Sequence, residues 1–173
     1  MSDSADPDAE FTGKYEEAGR IGGWLLDRFY RSVEQLLSPH LSAESTLLEV
    51  GCGAGFSSQR IMQWLPDGAR FVGSDVGASL LRKSARRNPG IPLVQQSVYQ
   101  LALPDKSVDA VVMLEVLEHL EQPAHALAEL RRIARKVVVV STPREPIWRV
   151  LNLARGKYVR ALGNTPGHVQ HWS

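Results

Sequence analysis

The sequence predicts an α/β domain built on a doubly wound parallel sheet, and three observations carry that prediction. Short runs rich in apolar and β-branched residues (47–50, 70–74, 91–95, 108–113 and 137–140) alternate with stretches of helical periodicity (14–37, 56–65, 77–87 and 123–135). Several of these runs are apolar without alternation, Val137-Val138-Val139-Val140 most plainly, as strands covered on both faces are. A glycine-rich turn, Gly51-Cys52-Gly53-Ala54-Gly55, closes the first run. Strand–helix alternation of this kind gives right-handed crossovers, and open α/β sheets bind ligands at the carboxyl ends of their strands.

Each element has its own justification. Residues 14–37 carry Ile21, Trp24, Leu25, Phe29, Val33, Leu36 and Leu37 at helical spacing, and Ser38-Pro39-His40 stops the helix. Residues 47–50 form the first strand. The helix over 56–65 ends before Pro66-Asp67-Gly68. Residues 70–74 form the second strand, with Asp75 at its carboxyl end. Leu80, Leu81 and Ala85 give the helix over 77–87 an apolar side opposite basic residues, and Pro89-Gly90 breaks it. A short strand over 91–95 and a loop over 101–107 precede the strongly apolar strand 108–113. Leu127, Leu130 and Ile133 are the expected buried stripe of the helix over 123–135, and 137–140 is the fifth strand. Beyond 143 the pattern weakens into a basic helical excursion over 145–161.

Length and composition set bounds. The chain has 173 residues, 43% hydrophobic and 23% charged, which suits one globular domain with a real core. Four segments are expected: a flexible tail (1–13), a helical cap (14–40), the sheet domain (41–143) and a basic, aromatic segment (144–173). A net charge of +1 gives no drive toward nucleic acid or anionic membrane. The single cysteine, Cys52, excludes an internal disulfide and suits a reducing cytoplasm. No apolar run approaches the roughly 20 residues of a membrane span, and the acidic start is the reverse of a secretory leader.

The turn discriminates among ligands. A dinucleotide fingerprint wants Gly-x-Gly-x-x-Gly, whose third glycine lets strand and helix pack closely. Here Gly51, Gly53 and Gly55 alternate, and Phe56 fills that third place. Asp75 follows about twenty residues after the turn, the distance for a carboxylate that accepts from ribose hydroxyls. It could also serve only as a helix cap. The ligand expected is one with a ribose and no pyrophosphate.

The run Glu49-x-Gly51-x-Gly53-x-Gly55, then Asp75, then Leu101-x-x-Pro104-Asp105-x-x-x-Asp109, resembles the class I S-adenosylmethionine-dependent methyltransferases, of the type 11 kind. The resemblance covers roughly residues 47–142 and implies a Rossmann-like sheet with S-adenosylmethionine as cofactor. It implies that Gly51, Gly53 and Gly55 border the methionine part, with Glu49 either touching the cofactor or supporting the turn. Asp75, followed by Val76, would hold the ribose. Ser97 and Val98 would flank adenine, and Leu114 would lie beside the methionine moiety. Many members carry an aspartate where Ser97 stands, so adenine would here meet an uncharged hydroxyl. The family usually closes its sheet with a hairpin after the fifth strand, and nothing after Val140 reads as one. A shortened chain or a natural short form is expected, its edge either covered by 145–161 or open to homodimer formation.

Methyl transfer mainly needs an aligned acceptor and sometimes a base. Glu115, Glu118 and His119, just beyond the fourth strand, are the catalytic candidates, with His119 as base or substrate contact. The Glu-x-x-Glu-His arrangement is similar to that of ubiquinone-pathway O-methyltransferases and small-RNA 2′-O-methyltransferases. That similarity implies Mg2+ or Mn2+ held by Glu115, Glu118, His119 and His168, with His171 in reserve. Other family members carry a Glu-His pair there without metal. The expected partner is a small-molecule methyl acceptor, with O-methylation favoured. The alternatives are metal-assisted transfer to a vicinal hydroxyl including an RNA 2′-OH, an NAD(P)-dependent oxidoreductase, and a non-catalytic cofactor-binding protein. Arg144, Arg149, Arg155, Lys157 and Arg160 would be a substrate lid or a solvated face.

Overall fold

The computed structural model describes residues 20–142, with side chains from residue 23 onward. The expectations for 1–13, 145–161, His168, His171 and a closing hairpin lie outside the described residues. Helix α1 (Arg20–Leu37) leads through a 3-10 turn to β1 (Thr46–Val50), α2 (Phe56–Met62), β2 (Arg70–Asp75), α3 (Ala78–Arg87) and β3 (Leu93–Gln95). There follow β4 (Val108–Leu114), a second 3-10 turn (Leu117–His119), α4 (Pro123–Ile133) and β5 (Ala134–Ser141). Every pairing between these five strands is parallel, in the order β3-β2-β1-β4-β5. The chain thus winds outward from β1 to β3, then crosses back to β4 on the other side. The direction of winding reverses between β1 and β4, and the loops after these two strands flank the crevice where such sheets take their ligands.

The central strands are buried because both sheet faces are covered. All seven residues of β4 are buried. On one face Leu48, Val50, Val111 and Met113 pack with Ala126, Leu130 and Ile133 of α4. On the other, Leu47, Phe71, Ala110 and Val112 pack with Tyr30, Val33 and Leu37 of α1 and Ile61 of α2. Each large apolar side chain so buried contributes about 1.5–3 kcal/mol.

Four expectations are corrected in detail. The α1 stripe is Tyr30, Val33 and Leu37, with Leu26 and Phe29 packed against them, while Trp24, Leu25 and Leu36 are exposed. Trp24 instead lies against the Arg28 guanidinium, 5.7 Å from the ring centroid. In α4 the stripe runs through Ala126, not Leu127, which is exposed. Ala126, Leu130 and Ile133 are spaced i, i+4, i+7, so the helix face follows geometry and not size. In α3, Ser84 is buried and Ala85 exposed, because the helix sets a small residue against the glycine turn. Strand β5 is only partly buried: Ala134 and Val139 are buried, while Val138 and Val140 pack half-buried against one core and Val137 against the other. It is the end strand of the described sheet and has a neighbour on one side only.

Two charged residues fasten the frame. Asp109 accepts from the Thr46 N–H at 3.0 Å, from Arg135 at 3.0 Å and from Lys136 at 3.2 Å, so one carboxylate ties together the starts of β1, β4 and β5. The Thr46 amide first, and then the two cations, hold its carboxyl below the usual carboxylate range. Arg132 of α4 secures the loop before β4, donating to the carbonyls of Leu101 at 3.0 Å and Leu103 at 2.8 Å and to Asp105 at 2.9 Å. Its other donors grip Glu129 at 2.8 and 2.9 Å.

Candidate functional site

The turn after β1 follows from its glycines. Gly51, Gly53 and Gly55 have φ of 76°, 53° and 81°, in the left-handed region that costs other residues about 1–2 kcal/mol each. The three are not equivalent. A Cβ on Gly51 would overlap Val116 in the loop after β4, and one on Gly55 would overlap Asn88 and Ser84. A Cβ on Gly53 would meet nothing within 4 Å, so the backbone there borders open space. Gly55→Ala is therefore expected to lower stability by roughly 2–4 kcal/mol, combining overlap with φ strain. Gly53→Ala carries the φ cost alone, about 1–2 kcal/mol. Chemical denaturation of the two variants side by side checks this ordering.

The amides of the turn are pinned by β2. The Ser74 carbonyl accepts from Gly51 and Cys52 N–H at 2.7 and 2.9 Å. Asp75 Oδ2 accepts from Gly53 N–H at 2.9 Å and Oδ1 from Gly77 N–H at 2.7 Å. Asp75 thus holds the turn and caps the approach to α3, and each of its oxygens keeps a further lone pair for a ligand hydroxyl. The carbonyls of the turn are held from α3: Arg87 donates to the Ala54 carbonyl and Asn88 Nδ2 to that of Gly55 at 2.7 Å. Sequence reasoning missed both residues, since nothing local marks a helix end that reaches a turn some thirty positions earlier.

A cleft opens against this turn, lined by Gly51 to Ala54 together with Phe56, Ser57 and Leu80. Val76 is exposed at the end of β2, Ser97 is half-buried, and Val98 and Leu114 are buried. The Ser97 hydroxyl accepts from the Tyr99 N–H at 3.3 Å. Glu49 lies beneath the turn, 1% exposed, accepting from the Ser58 hydroxyl. Burial pushes its carboxyl up, while hydrogen bonds from Ser57 and Ser58 oppose that. It does not line the cleft. The Cys52 thiol is also buried, and burial pushes it up, away from the nucleophilic thiolate.

Beyond β4 the structure departs from expectation. Glu115 has φ of 57°, and this left-handed residue turns the chain before the 3-10 turn Leu117–His119 begins. Its Oε1 accepts from the Ser141 hydroxyl at 2.7 Å, and its N–H donates to the Ser141 carbonyl at 3.2 Å. Glu118 is buried, 1% exposed. His119 is exposed, its Nε2 3.9 Å from Glu118 Oε1. The i, i+3 spacing converges only on a continuous helical turn, which the Glu115 conformation interrupts. Among the described residues, no three histidine, cysteine, aspartate or glutamate side chains gather to hold a metal ion. The expected ligands Glu115, Glu118 and His119 are therefore not gathered into one cluster, and the fourth expected ligand, His168, lies outside the described residues.

The sequence profile of the methyltransferase domain family matches residues 48–140, more than half of the chain. The chain belongs to the class I S-adenosylmethionine-dependent methyltransferase family. A Mycobacterium tuberculosis protein named a probable S-adenosylmethionine-dependent methyltransferase is 32% identical over 118 residues, 67% of this chain and 42% of the relative. Demethylmenaquinone methyltransferase of Roseiflexus castenholzii is 31% identical over 153 residues, 82% of this chain and 63% of the relative. The chain thus spans well under two thirds of the first relative's length. The crystal structure of a SAM-dependent methyltransferase from Aquifex aeolicus superposes with a TM-score of 0.51 at 23% identity, covering 59% of this chain and 57% of that one. This last likeness shows the fold. No helix among the described residues is long and apolar enough to cross a membrane.

The cleft of this methyltransferase domain fits the family's cofactor. Open space against Gly53 admits a ligand close to the backbone, and the adjacent Asp75 carboxylate suits ribose hydroxyls.

Proposed function

We propose that the domain binds S-adenosylmethionine in the cleft after β1 and transfers its methyl group to a small-molecule acceptor, oxygen being the favoured target. The observation that carries the proposal is the open space at Gly53 beside a carboxylate already fixed by two backbone amides. When bound, the cofactor supplies a methyl group on a sulfonium, a good leaving group for in-line displacement. The chain then has to bind, orient and deprotonate. Asp75 would accept from the ribose hydroxyls, with Val76 beside it, while Ser97 and Val98 border the adenine. Gly51, Gly53 and Gly55 would let the methionine part lie on the backbone, with Leu114 closing the side toward β4. Glu49 would act from below, by holding α2 to β1 through Ser58.

The acceptor would enter between the loops after β1 and β4, where Val116 already meets Gly51. Glu115, braced by Ser141, would orient it by accepting a hydrogen bond. His119 would take its proton on an imidazole nitrogen, with the Glu118 carboxylate next to it stabilising the charge formed. Similarity to a protein named demethylmenaquinone methyltransferase supports a small acceptor over a macromolecule. Membership of the methyltransferase family argues against the oxidoreductase alternative.

Incubation with S-adenosylmethionine carrying a radiolabelled methyl group, against a panel of small phenols and catechols and a separate RNA, tests the proposal. Label is expected in the small molecules. Label in the RNA would favour the 2′-hydroxyl alternative. Cofactor binding with no transfer to any hydroxyl-bearing acceptor would favour the non-catalytic one.

A further inference from the structure

Alternate glycines make the turn after β1 easy to shape and equally easy to deform, because glycine has the most backbone freedom to lose. Ser74 and Asp75 fix the amides of the turn, but they leave its outer half, Ala54 to Phe56, to be held by something else. Asn88 takes the Gly55 carbonyl, and Arg87 takes the rest. Its guanidinium donates to the Ala54 carbonyl and lies over the Phe56 ring at 3.4 Å from the centroid. A cation at a helix C-terminus ordinarily serves the helix's own last carbonyls. Arg87, the last residue of α3, instead reaches a carbonyl of the turn. Because Phe56 also lines the cleft, the same contact holds one of its lining side chains in place.

We propose that Arg87 is a positioning residue for the cofactor: by locking the Ala54 carbonyl and the Phe56 ring, it presents the turn in its binding shape before the ligand arrives. This deepens the proposal above and rests on its assignment of the cofactor. The physical gain is preorganisation. A turn already ordered loses little freedom when the ligand binds, whereas a released one must be ordered at each binding event. The planar fork matters, since it bonds the carbonyl in its plane while its flat face stacks on the ring, and an ammonium has no flat face to stack.

The test uses the full chain and S-adenosylhomocysteine as probe, with Arg87→Ala, Arg87→Lys and, as a neighbouring control, Arg86→Ala. Arg87→Ala is expected to bind roughly ten- to hundredfold more weakly, Arg87→Lys to recover part of the loss, and Arg86→Ala to match the parent. Hydrogen exchange without ligand is expected to speed up in Arg87→Ala at the amides of residues 53–56 and to stay unchanged in β1 and β4. Binding of Arg87→Ala within about twofold of the parent overturns the proposal. So does faster exchange throughout the sheet, which would mean that Arg87 only stabilises the fold. If the parent itself fails to bind S-adenosylhomocysteine, the cofactor assignment falls and this inference with it, an outcome distinct from a defect confined to Arg87→Ala.

Discussion

Replacing Asp75 with alanine is expected to weaken S-adenosylhomocysteine binding by about 1–3 kcal/mol, roughly five- to 150-fold. The carboxylate performs two tasks at once. It accepts the Gly53 and Gly77 amides, which fixes the turn against β2, and in the proposed complex it would offer its remaining lone pairs to the ribose. Alanine removes both. Asparagine is expected to fall between, because its amide nitrogen can only donate and so meets one of the two backbone N–H groups unfavourably. Isothermal titration of the two variants measures the difference, with thermal unfolding to confirm that both are folded. An affinity for Asp75→Ala equal to the parent's would mean that the ribose lies elsewhere.

A large loss of stability at neutral pH is expected from Arg132→Ala, because several hydrogen bonds are lost together. Its guanidinium satisfies the Leu101 and Leu103 carbonyls, pairs with Asp105 and forks onto Glu129, so its removal releases the loop before β4 and strands a carboxylate. The pH dependence gives a sharper test. The Arg132 hydrogen bonds chiefly, joined by the Leu101 amide, pull the Glu129 carboxyl down to about 2. A carboxyl depressed in the folded state contributes stability above its unfolded value near 4.3, and that stability is lost as the pH falls through the folded value. Urea unfolding should therefore show the full gap between parent and Arg132→Ala at pH 7 and a smaller one near pH 2.5. A gap that stayed constant would assign the effect to the loop carbonyls alone.

How much of this was legible in the sequence depends on whether the cause was local. The parallel strands, the glycine turn and the placing of Asp75 at the end of β2 all follow from short-range pattern, and all are present. The stripes of α1 and α4 were misjudged because hydrophobicity singles out Trp24 and Leu127, while the helix faces are set by docking that favours Tyr30 and Ala126. Nothing in a spacing of three could foretell that Glu115 would take a left-handed backbone, its carboxylate and amide both engaged by a serine in β5. Arg132, Arg87 and Asn88 join positions about thirty residues apart, and such pairings appear only once the sheet has assembled. The cleft at the turn was thus foreshadowed by its glycines, and the side chains that hold it in shape were not.

The most direct measurement is calorimetric titration of the whole chain with S-adenosylhomocysteine, alongside NADH under the same conditions. Saturable one-site binding of S-adenosylhomocysteine, with no heat from NADH, is the expected result. Absence of S-adenosylhomocysteine binding by a folded chain, or tighter binding of NADH, would contradict the assignment of the Gly51–Gly55 turn and Asp75 to S-adenosylmethionine.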